Sequence, residues 1–363
     1  MKKFILFFNA IAISGFLFAQ GSDTSFKSYS KFDFVPGEQV IYFEDFSQDA
    51  VGDFPANWNT NASGEIITIG NIPAKWLKTA SEGRYRPEIK TTVFPDNFTI
   101  EFDLILKSGS DIDIDGSTQE LKIDIFHASN AQVMDGEADG NGARFQITSA
   151  VISANKWKEG QGMMDNHQEK KLFTNKDGKV VHVSIWVQKQ RGRLYIDENK
   201  VFDLPQFMPA GISCNAIAFF SGLYGDERQN FISNIRIAAG APDMRNKLIT
   251  DGKLVTRGIL FDVNSDKIKS ESYGTLKEIS QVLKDNPTVR VKIVGHTDSD
   301  GSDAANLELS KKRSAAVKNS LMKDFGIDAS RMETDGKGES EPLSPNTTAE
   351  GKANNRRVEF IKL

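Results

Sequence analysis

Apolar and polar residues alternate with a period of two through most of the first two thirds of the chain. The stretch NFTIEFDLIL (residues 97–106) has an apolar and a polar face, and so does KVVHVSIWVQ (residues 179–188). Such runs, separated by turns rich in Gly, Asn and Asp, are typical of β-strands. No long helical pattern interrupts them, so the sequence predicts an all-β domain over residues 34–241.

Two all-β architectures fit this pattern, a soluble β-sandwich and a membrane β-barrel. Barrel strands need about 9–11 residues with an apolar row that faces lipid. Several runs in this chain are shorter and carry charge on both faces. The pattern therefore favours the sandwich, and an outer-membrane barrel is the alternative.

The pattern changes after residue 241. Residues 242–254 are interpreted as a linker, and the domain that follows covers residues 255–363. Its predicted elements are strands at 256–263, 288–295 and 356–363 and helices at 269–285 and 304–323. The order strand, helix, strand, helix, strand predicts an α/β (βαβαβ) domain.

The chain starts with the pattern of an export signal. Lys2 and Lys3 precede an apolar run from Phe4 to Phe18, which is shorter than the ~20 residues that span a bilayer. We expect a signal peptide over residues 1–20, with an uncleaved anchor helix as the alternative, and a flexible segment over residues 21–33.

Composition limits the possible covalent cross-links and the possible partners of the protein. Cys214 is the only cysteine, so an internal disulfide is excluded, and its strand-like surroundings predict a small core residue. The formal net charge of −4 gives no indication of a nucleic-acid partner.

One arginine stands in the apolar stripe of the second predicted helix. Leu309, Arg313, Val317 and Leu321 recur every four residues and therefore share one face. A buried arginine needs a carboxylate or a ligand, because an unpaired buried charge is costly. Asp298, just past the strand before this helix, is the nearest candidate. The two side chains form either an internal ion pair or a site for a zwitterion, with Asp298 on the ammonium and Arg313 on the carboxylate.

The residues around this pair resemble the OmpA-like peptidoglycan-binding domain. The resemblance covers about residues 255–363 and includes GHTDSDGSDAANLELSKKRSAAVKNSL (295–321). Further matching positions are Arg331, Gly336, Gly338, Pro342, Asn346, Thr348, Gly351, Asn355, Arg356, Arg357 and Val358. Ser314 and Lys352 depart from the usual alanine and arginine, and we expect neither to contact the site.

The resemblance implies a ligand and a set of ligand-binding residues. The ligand is the diaminopimelate residue of the peptidoglycan stem peptide, and Asp298 and Arg313 hold its free amino-acid end. Asn264, Asn306 and Arg356 match further ligand-contacting positions, with Thr297 beside them. His296 is interpreted as a structural loop residue, and alternation is expected to point one of Arg356 and Arg357 to the site and the other outwards.

Two acidic motifs in the β domain suggest other chemistry. Glu101 and Asp103 share a strand face and resemble part of the E-x-D-x-x-E signature of sandwich-fold glycoside hydrolases, but Leu106 occupies the third carboxylate position. Asp111, Asp113 and Asp115 resemble the start of a calcium loop, and Lys122 stands where an EF-hand needs glutamate. They are weak calcium candidates, and we predict no enzyme activity and no cofactor.

The β domain also has a weak resemblance to concanavalin- and laminin-G-like jelly rolls, through FEDFSQDAVGDFPANW (residues 43–58). The resemblance concerns the fold and implies a jelly-roll sandwich. The four tryptophans all lie in this domain and are expected to fill its core: Trp58, Trp76, Trp157 and Trp186.

Together these features predict a non-catalytic protein of the cell envelope, located in the periplasm at the outer membrane. Its C-terminal domain is expected to bind peptidoglycan and to tether a β domain that binds a glycan or an outer-membrane protein. The alternatives are a wall-anchored polysaccharide-processing enzyme, an outer-membrane barrel with a periplasmic anchor, and a motor-stator-like anchor that keeps its N-terminal helix.

Overall fold

The computed structural model describes residues 33–90, 93–107, 120–130, 132–134, 140–148, 151–158, 162–164, 178–222, 229–240 and 244–363. The predicted signal peptide, nearly all of the predicted flexible segment and the calcium candidates Asp111, Asp113 and Asp115 lie outside these residues.

The alternating runs of the first part form antiparallel strands in two sheets. The strands are β1 (Gln39–Glu44), β2 (Trp58–Thr60), β3 (Gly64–Ile69), β4 (Ile72–Thr79), β5 (Gly83–Pro87), β6 (Asn97–Lys107), β7 (Glu120–Phe126), β8 (Asn141–Thr148), β9 (Ile152–Lys158), β10 (Gly162–Met164), β11 (Val181–Gln188), β12 (Arg191–Ile196), β13 (Asn199–Leu204), β14 (Ala216–Gly222) and β15 (Gln229–Ala239). One sheet has the order β13-β12-β11-β6-β15-β4-β3, with β1 also paired to β15, and the other has the order β10-β9-β8-β7-β14-β5-β2.

The two sheets share one apolar core, as expected for a sandwich. Phe102 and Phe202 of the first sheet pack in the same cluster as Phe145 and Phe219 of the second. Burial of each such side chain contributes roughly 1.5–3 kcal/mol. The alternative raised above, a single closed ring of strands, is therefore not what the described strands form.

Two of the other predictions for this core are confirmed, because Cys214 and Trp58 are buried in it. Trp76 and Trp157 are also buried, but each lies in a separate apolar cluster. Trp186 differs, because it lies half-buried on the outer face of the first sheet, with its ring edge-on to Phe34 at a centroid distance of 6.3 Å.

The second part is an α/β domain with a mixed sheet. Its elements are β16 (Lys253–Thr256), α1 (Tyr273–Asp285), β17 (Val291–His296), α2 (Asp303–Lys323), β18 (Met332–Gly338), α3 (Ala349–Asn355) and β19 (Val358–Lys362). The strand order is β16-β19-β17-β18, with β17 and β18 parallel and β19 antiparallel to both of its neighbours. The sequence pattern predicted the helices α1 and α2 but did not reveal β18 and α3.

The first strand of this domain lies earlier than predicted. Residues 257–263 are not a strand, because the backbone of Leu260 is satisfied locally: its N–H donates to the Ser272 hydroxyl at 2.8 Å and its carbonyl accepts from the Lys269 N–H at 2.9 Å. The sheet instead begins with β16, and Leu248 and Leu254 are buried in the domain core. The described part of the predicted linker therefore belongs to the folded domain.

Helix α2 presents a different face to the sheet than its leucine spacing predicted. Its buried residues are Asn306, Ser310, Ser314, Val317 and Leu321, whereas Leu309 and Arg313 are half-buried at the edge. Small residues suit this position because the helix lies very close to the sheet. A Cβ added at Gly295 would lie 2.3 Å from the Ser310 carbonyl oxygen, and one at Gly336 would lie 2.4 Å from the Ser310 hydroxyl.

A short stretch before β1, Phe34–Glu38, contacts both domains, and we call it the interdomain segment. The N–H of Gly37 donates to the Thr99 hydroxyl of the sandwich at 3.0 Å, whereas Val35 is buried in the core of the α/β domain. The carbonyl of Glu38 accepts from Arg257 of the α/β domain at 2.6 Å. A Cβ at Gly274 of α1 would lie 1.9 Å from the Phe34 carbonyl oxygen, so only glycine allows this approach.

Within the described residues, we find no helix that combines the length and apolar character needed to cross a membrane.

Candidate functional site

The loop after β17 carries the predicted carboxylate, and hydrogen bonds fix its course. The N–H of Thr297 donates to the Gly338 carbonyl at 2.9 Å. The Asn306 amide donates to the carbonyls of Asp298 at 3.2 Å and Asp300 at 3.1 Å. Asn306 thus acts from the first turn of α2 to hold the Asp298 loop in place.

Asp298 pairs with Arg356, and not with Arg313 as the helix pattern suggested. Nη1 of Arg356 lies 2.6 Å from Oδ2 of Asp298, and Oδ1 accepts from the Asp300 N–H at 3.3 Å. The guanidinium of Arg356 also lies 5.2 Å from the ring centroid of Phe43, a residue of the sandwich. The two domains therefore meet directly beside the Asp298 carboxylate.

Arg313 has no carboxylate within 4.0 Å among the described residues. Its Nε donates to the Ser265 carbonyl at 3.0 Å, and its guanidinium lies 4.8 Å from the ring centroid of Phe261. Burial lowers the pKa of Arg313, and the charge of Arg356 acts in the same direction, against that of Asp298. Arg313 is therefore a half-buried cation without a counter-ion in contact, which is the arrangement expected of an anion-binding group.

All six predicted site residues line one cavity of about 520 Å³. They are Asn264, Thr297, Asp298, Asn306, Arg313 and Arg356. Asn264 is exposed and has a positive φ of 52°, in a loop that forms one rim. The Thr297 hydroxyl is buried and makes no hydrogen bond with the described residues. A volume of this size is in the range of small-molecule sites.

The opposite wall of this cavity belongs to the sandwich. It consists of Phe43, Asp45, Glu101, Asp103, His182, Asn234 and Arg236. The sequence analysis identified Glu101 and Asp103 as residues of one strand face, and in the structure Glu101 is only 3% exposed.

The charges of this sandwich wall are paired across neighbouring strands. Arg236 is opposite Glu101 in the register of β15 and β6, with Nη1 2.6 Å from Oε1. His182 is opposite Asp103 in the register of β11 and β6, with Nδ1 2.7 Å from Oδ1. Asn234 donates to the second oxygen of Asp103 at 2.6 Å. These pairs depend on the register between neighbouring strands, and the alternation of apolar and polar residues along one strand does not reveal that register.

The pKa values on this wall favour fixed charges over proton transfer. Burial acts to raise the pKa of Glu101 and of Asp103, but Arg236 and His182 outweigh it for Glu101, and His182 and Asn234 do so for Asp103. Burial acts to lower the pKa of His182, but Asp103 and Glu101 raise it to about 10. None of these three groups is poised to exchange a proton near neutral pH, as general acid–base catalysis requires. Leu106, at the third position of the hydrolase signature, is buried in the sandwich core.

The surroundings of the site correct two further expectations. Arg357 does not point outwards: it is buried, and its Nε donates to Glu359 at 2.8 Å. Lys352 does contact the site, because its Nζ lies 2.7 Å from Oδ1 of Asp300 in the Asp298 loop. The other departure, Ser314, is buried on the sheet-facing side of α2.

His296 is the last residue of β17 rather than a loop residue. It is 2% exposed, and its Nε2 lies 3.6 Å from Oε1 of Glu359. Among the described residues, we find no group of three or more His, Cys, Asp or Glu side chains placed to hold a metal ion.

An α/β sheet with a charged cavity at the end of a central strand defines a small ligand-binding domain. Residues 260–356 match the model of the OmpA family, so the C-terminal part of this chain is an OmpA family domain.

Similar proteins share this part of the chain. Outer membrane porin F of Pseudomonas aeruginosa is 42% identical over 101 residues, which is 28% of this chain and 29% of that protein. The probable lipoprotein YiaD of Escherichia coli is 39% identical over 128 residues, which is 32% of this chain and 58% of that protein. The match thus spans less than two thirds of either relative.

Among solved structures, a peptidoglycan-associated lipoprotein from Burkholderia pseudomallei is 28% identical. The match covers 29% of this chain and 88% of that chain, with a TM-score of 0.27.

Proposed function

We propose that this protein binds the peptidoglycan stem peptide through the cavity of its OmpA family domain, and that it does so without catalysis. The observation that carries the proposal is Arg313, a half-buried cation that has no carboxylate within 4.0 Å among the described residues and lines a cavity with Asp298. The cost of holding such a charge is offset when a ligand carboxylate forms two parallel hydrogen bonds to its guanidinium.

The cavity suits the amino-acid end of diaminopimelate. Arg313 takes the ligand carboxylate, and Asp298 takes the ammonium. A carboxylate has about four lone-pair positions, so Asp298 keeps its bond to Arg356 while it accepts from the ligand. Arg356 and Asn306 then act chiefly by holding Asp298 in place, whereas the exposed Asn264 offers a polar group at the rim and Thr297 lies beside Asp298.

The cellular setting follows from the same proposal. The named relatives include outer membrane proteins and a probable lipoprotein, which supports a place at the outer membrane with the OmpA family domain in the periplasm. The sandwich is then held next to the wall, where it binds a glycan or an outer-membrane protein. Its jelly-roll character remains a prediction from the weak resemblance.

Co-sedimentation of the full-length chain with insoluble peptidoglycan tests this proposal. We expect the wild type to pellet with the wall, and Arg313→Ala and Asp298→Asn to bind at least about tenfold more weakly, since each removes a charge-assisted contact. Lys323→Ala, which removes an exposed cation from the last turn of the same helix, is the matched control and is expected to bind like the wild type.

Circular dichroism of each variant is used to check that the fold is intact. If folded Arg313→Ala pellets like the wild type, the cavity is not the peptidoglycan site.

A further inference from the structure

The ligand cavity has a second wall that an OmpA family domain does not itself supply. Phe43, Asp45, Asp103 and His182 come from the sandwich and line the same cavity as Asp298 and Arg313. Its volume of about 520 Å³ is larger than a single amino-acid end requires. We propose that the sandwich supplies half of the site, so that the stem peptide is bound between the two domains by a second set of charges that includes Lys269 and Asp45. This inference rests on the proposed function.

The first support is the distribution of charges that lack a counter-ion. Glu101, Asp103, Asp298 and Asp300 each have a cationic partner within 4.0 Å. On the same cavity surface, Lys269 and Asp45 have no ion-pair partner within 4.0 Å among the described residues, as is also true of Arg313. The same holds for Glu271, so two cations and two carboxylates on this surface are without an ion pair among the described residues.

The second support is that the two walls are held in fixed positions before a ligand binds. The interdomain segment accepts hydrogen bonds from the sandwich through Arg236, at 2.8 Å to the Gly37 carbonyl, and from the α/β domain through Arg257, at 2.6 Å to the Glu38 carbonyl. A cavity whose walls are already in place loses little conformational entropy on binding.

The third support is a direct contact between the sandwich and the diaminopimelate end of the site. The Phe43 ring lies against the guanidinium of Arg356, and Arg356 in turn holds Oδ2 of Asp298. The sandwich therefore positions a ligand-binding carboxylate besides facing the ligand itself.

These charges match the chemistry of the stem peptide beyond its terminal amino-acid end. The peptide carries a further free carboxylate, on its glutamate residue, and an ammonium at its N-terminus when it is released from the glycan. Arg313 binds the carboxylate of the terminal amino-acid end, Lys269 binds that of the glutamate, and Asp45 accepts from the ammonium or from a peptide N–H. Free diaminopimelate reaches only the Asp298 and Arg313 end of the cavity.

Isothermal titration calorimetry with two probes separates these parts of the site. The probes are free diaminopimelate and the tripeptide L-alanyl-γ-D-glutamyl-diaminopimelate, each titrated into the full-length chain. We expect Arg313→Ala to weaken both probes, and Asp45→Asn and Lys269→Gln to lower the preference for the tripeptide over diaminopimelate about fivefold each. Asp45→Asn keeps the side-chain oxygen that accepts from the Ser47 N–H, so the local turn is preserved.

Two matched controls remove the same charges elsewhere. Asp96→Asn on the sandwich and Lys284→Gln at the end of α1 are exposed and do not line the cavity, and both are expected to bind both probes like the wild type. If Arg313→Ala weakens both probes but Asp45→Asn and Lys269→Gln keep the wild-type preference, the shared site is wrong and the proposed function stands. If Arg313→Ala weakens neither probe, the proposed function itself is wrong.

Discussion

Two regions of the cavity hold charge in different ways. On the sandwich wall, Glu101 and Asp103 are each matched by a cation from a neighbouring strand. On the α/β wall, Arg313 has only a carbonyl and an aromatic ring for contact. Removing one partner of a buried ion pair is strongly destabilising, and a buried charge that has no partner lowers stability. The comparison indicates that the pairs of Glu101 and Asp103 hold the sandwich wall together, whereas Arg313 is left without a counter-ion, a place that a ligand could take.

Breaking a pair on the sandwich wall is expected to have the largest effect. Arg236→Met removes the nearer of the two cations beside the buried Glu101, leaving His182 at 3.8 Å, and also removes the donor to the Gly37 carbonyl. We expect the free energy of unfolding, measured by urea denaturation, to fall by about 3–5 kcal/mol. Arg191→Met, which breaks an exposed pair with Asp203, is the control and should cost less than about 1 kcal/mol. If both variants lost the same unfolding free energy, the buried pair would be no more important for stability than the exposed pair.

The imidazolium of His182 should make the sandwich wall sensitive to alkaline pH. Its pKa is raised from 6.5 to about 10 by Asp103 and Glu101, against the effect of burial. A raised folded-state pKa gives stability that is fully present below pH 6.5 and is lost as the pH rises through about 10.

We therefore expect the difference in unfolding free energy between wild type and His182→Gln to shrink by a few kcal/mol across this range, measured by urea denaturation at several pH values. The carboxylates next to His182 do not compete with it, because the pKa values of Glu101 and Asp103 are lowered from their usual range. A difference that is constant with pH would show that His182 is neutral in the folded protein.

Glu44 provides an intermediate case, a carboxylate with no cation within 4.0 Å among the described residues. Burial raises its pKa from 4.5 to about 7, and nearby Asp49, Asp45 and Glu350 add to the effect. The folded state therefore favours the protonated form, and stability present below pH 4.5 is lost as the pH rises through about 7.

Glu44→Gln keeps the oxygen that accepts from the Phe46 N–H and removes the ionisation. We expect the variant to be more stable than the wild type at pH 8 by about 1–3 kcal/mol and equal to it at pH 4, by thermal or urea denaturation. Equal stability at both values would mean that solvent reaches the carboxylate freely.

The smallest expected change in stability concerns Arg313. Arg313→Met removes a half-buried cation that has no ion pair, so the unfolding free energy should stay within about 1 kcal/mol of the wild type or rise. Peptidoglycan co-sedimentation by the same variant should be lost. A stability loss as large as that of Arg236→Met would show that Arg313 is a structural residue.

The sequence predicted which residues lie together in the cavity better than it predicted their pairing. The resemblance placed Asp298, Arg313 and Arg356 in one site, and the cavity brings them together. It did not show that Asp298 contacts Arg356, because these residues are 58 positions apart and meet only through the fold. The same holds for Glu101 and Arg236, which are 135 positions apart and depend on strand register.

Helix periodicity likewise gave a partial answer. It identified Val317 and Leu321 as buried, but it placed Arg313 in the stripe and missed Ser310 and Ser314. Small polar residues in a helix are usually interpreted as surface residues. They can be buried here because glycines in the facing strands let the helix approach the sheet closely. The buried face of α2 is thus set by the close approach of helix and sheet, which no property of the helix sequence alone reveals.

The interdomain segment has a mechanical consequence. If the cavity binds the wall as proposed, a force on the chain ahead of Phe34 would act on the hydrogen bonds of Gly37 and Glu38 and on the buried Val35 together. Because these contacts belong to both domains, the sandwich and the α/β domain would share the load. The sandwich would then not need to unfold before tension reached the α/β domain.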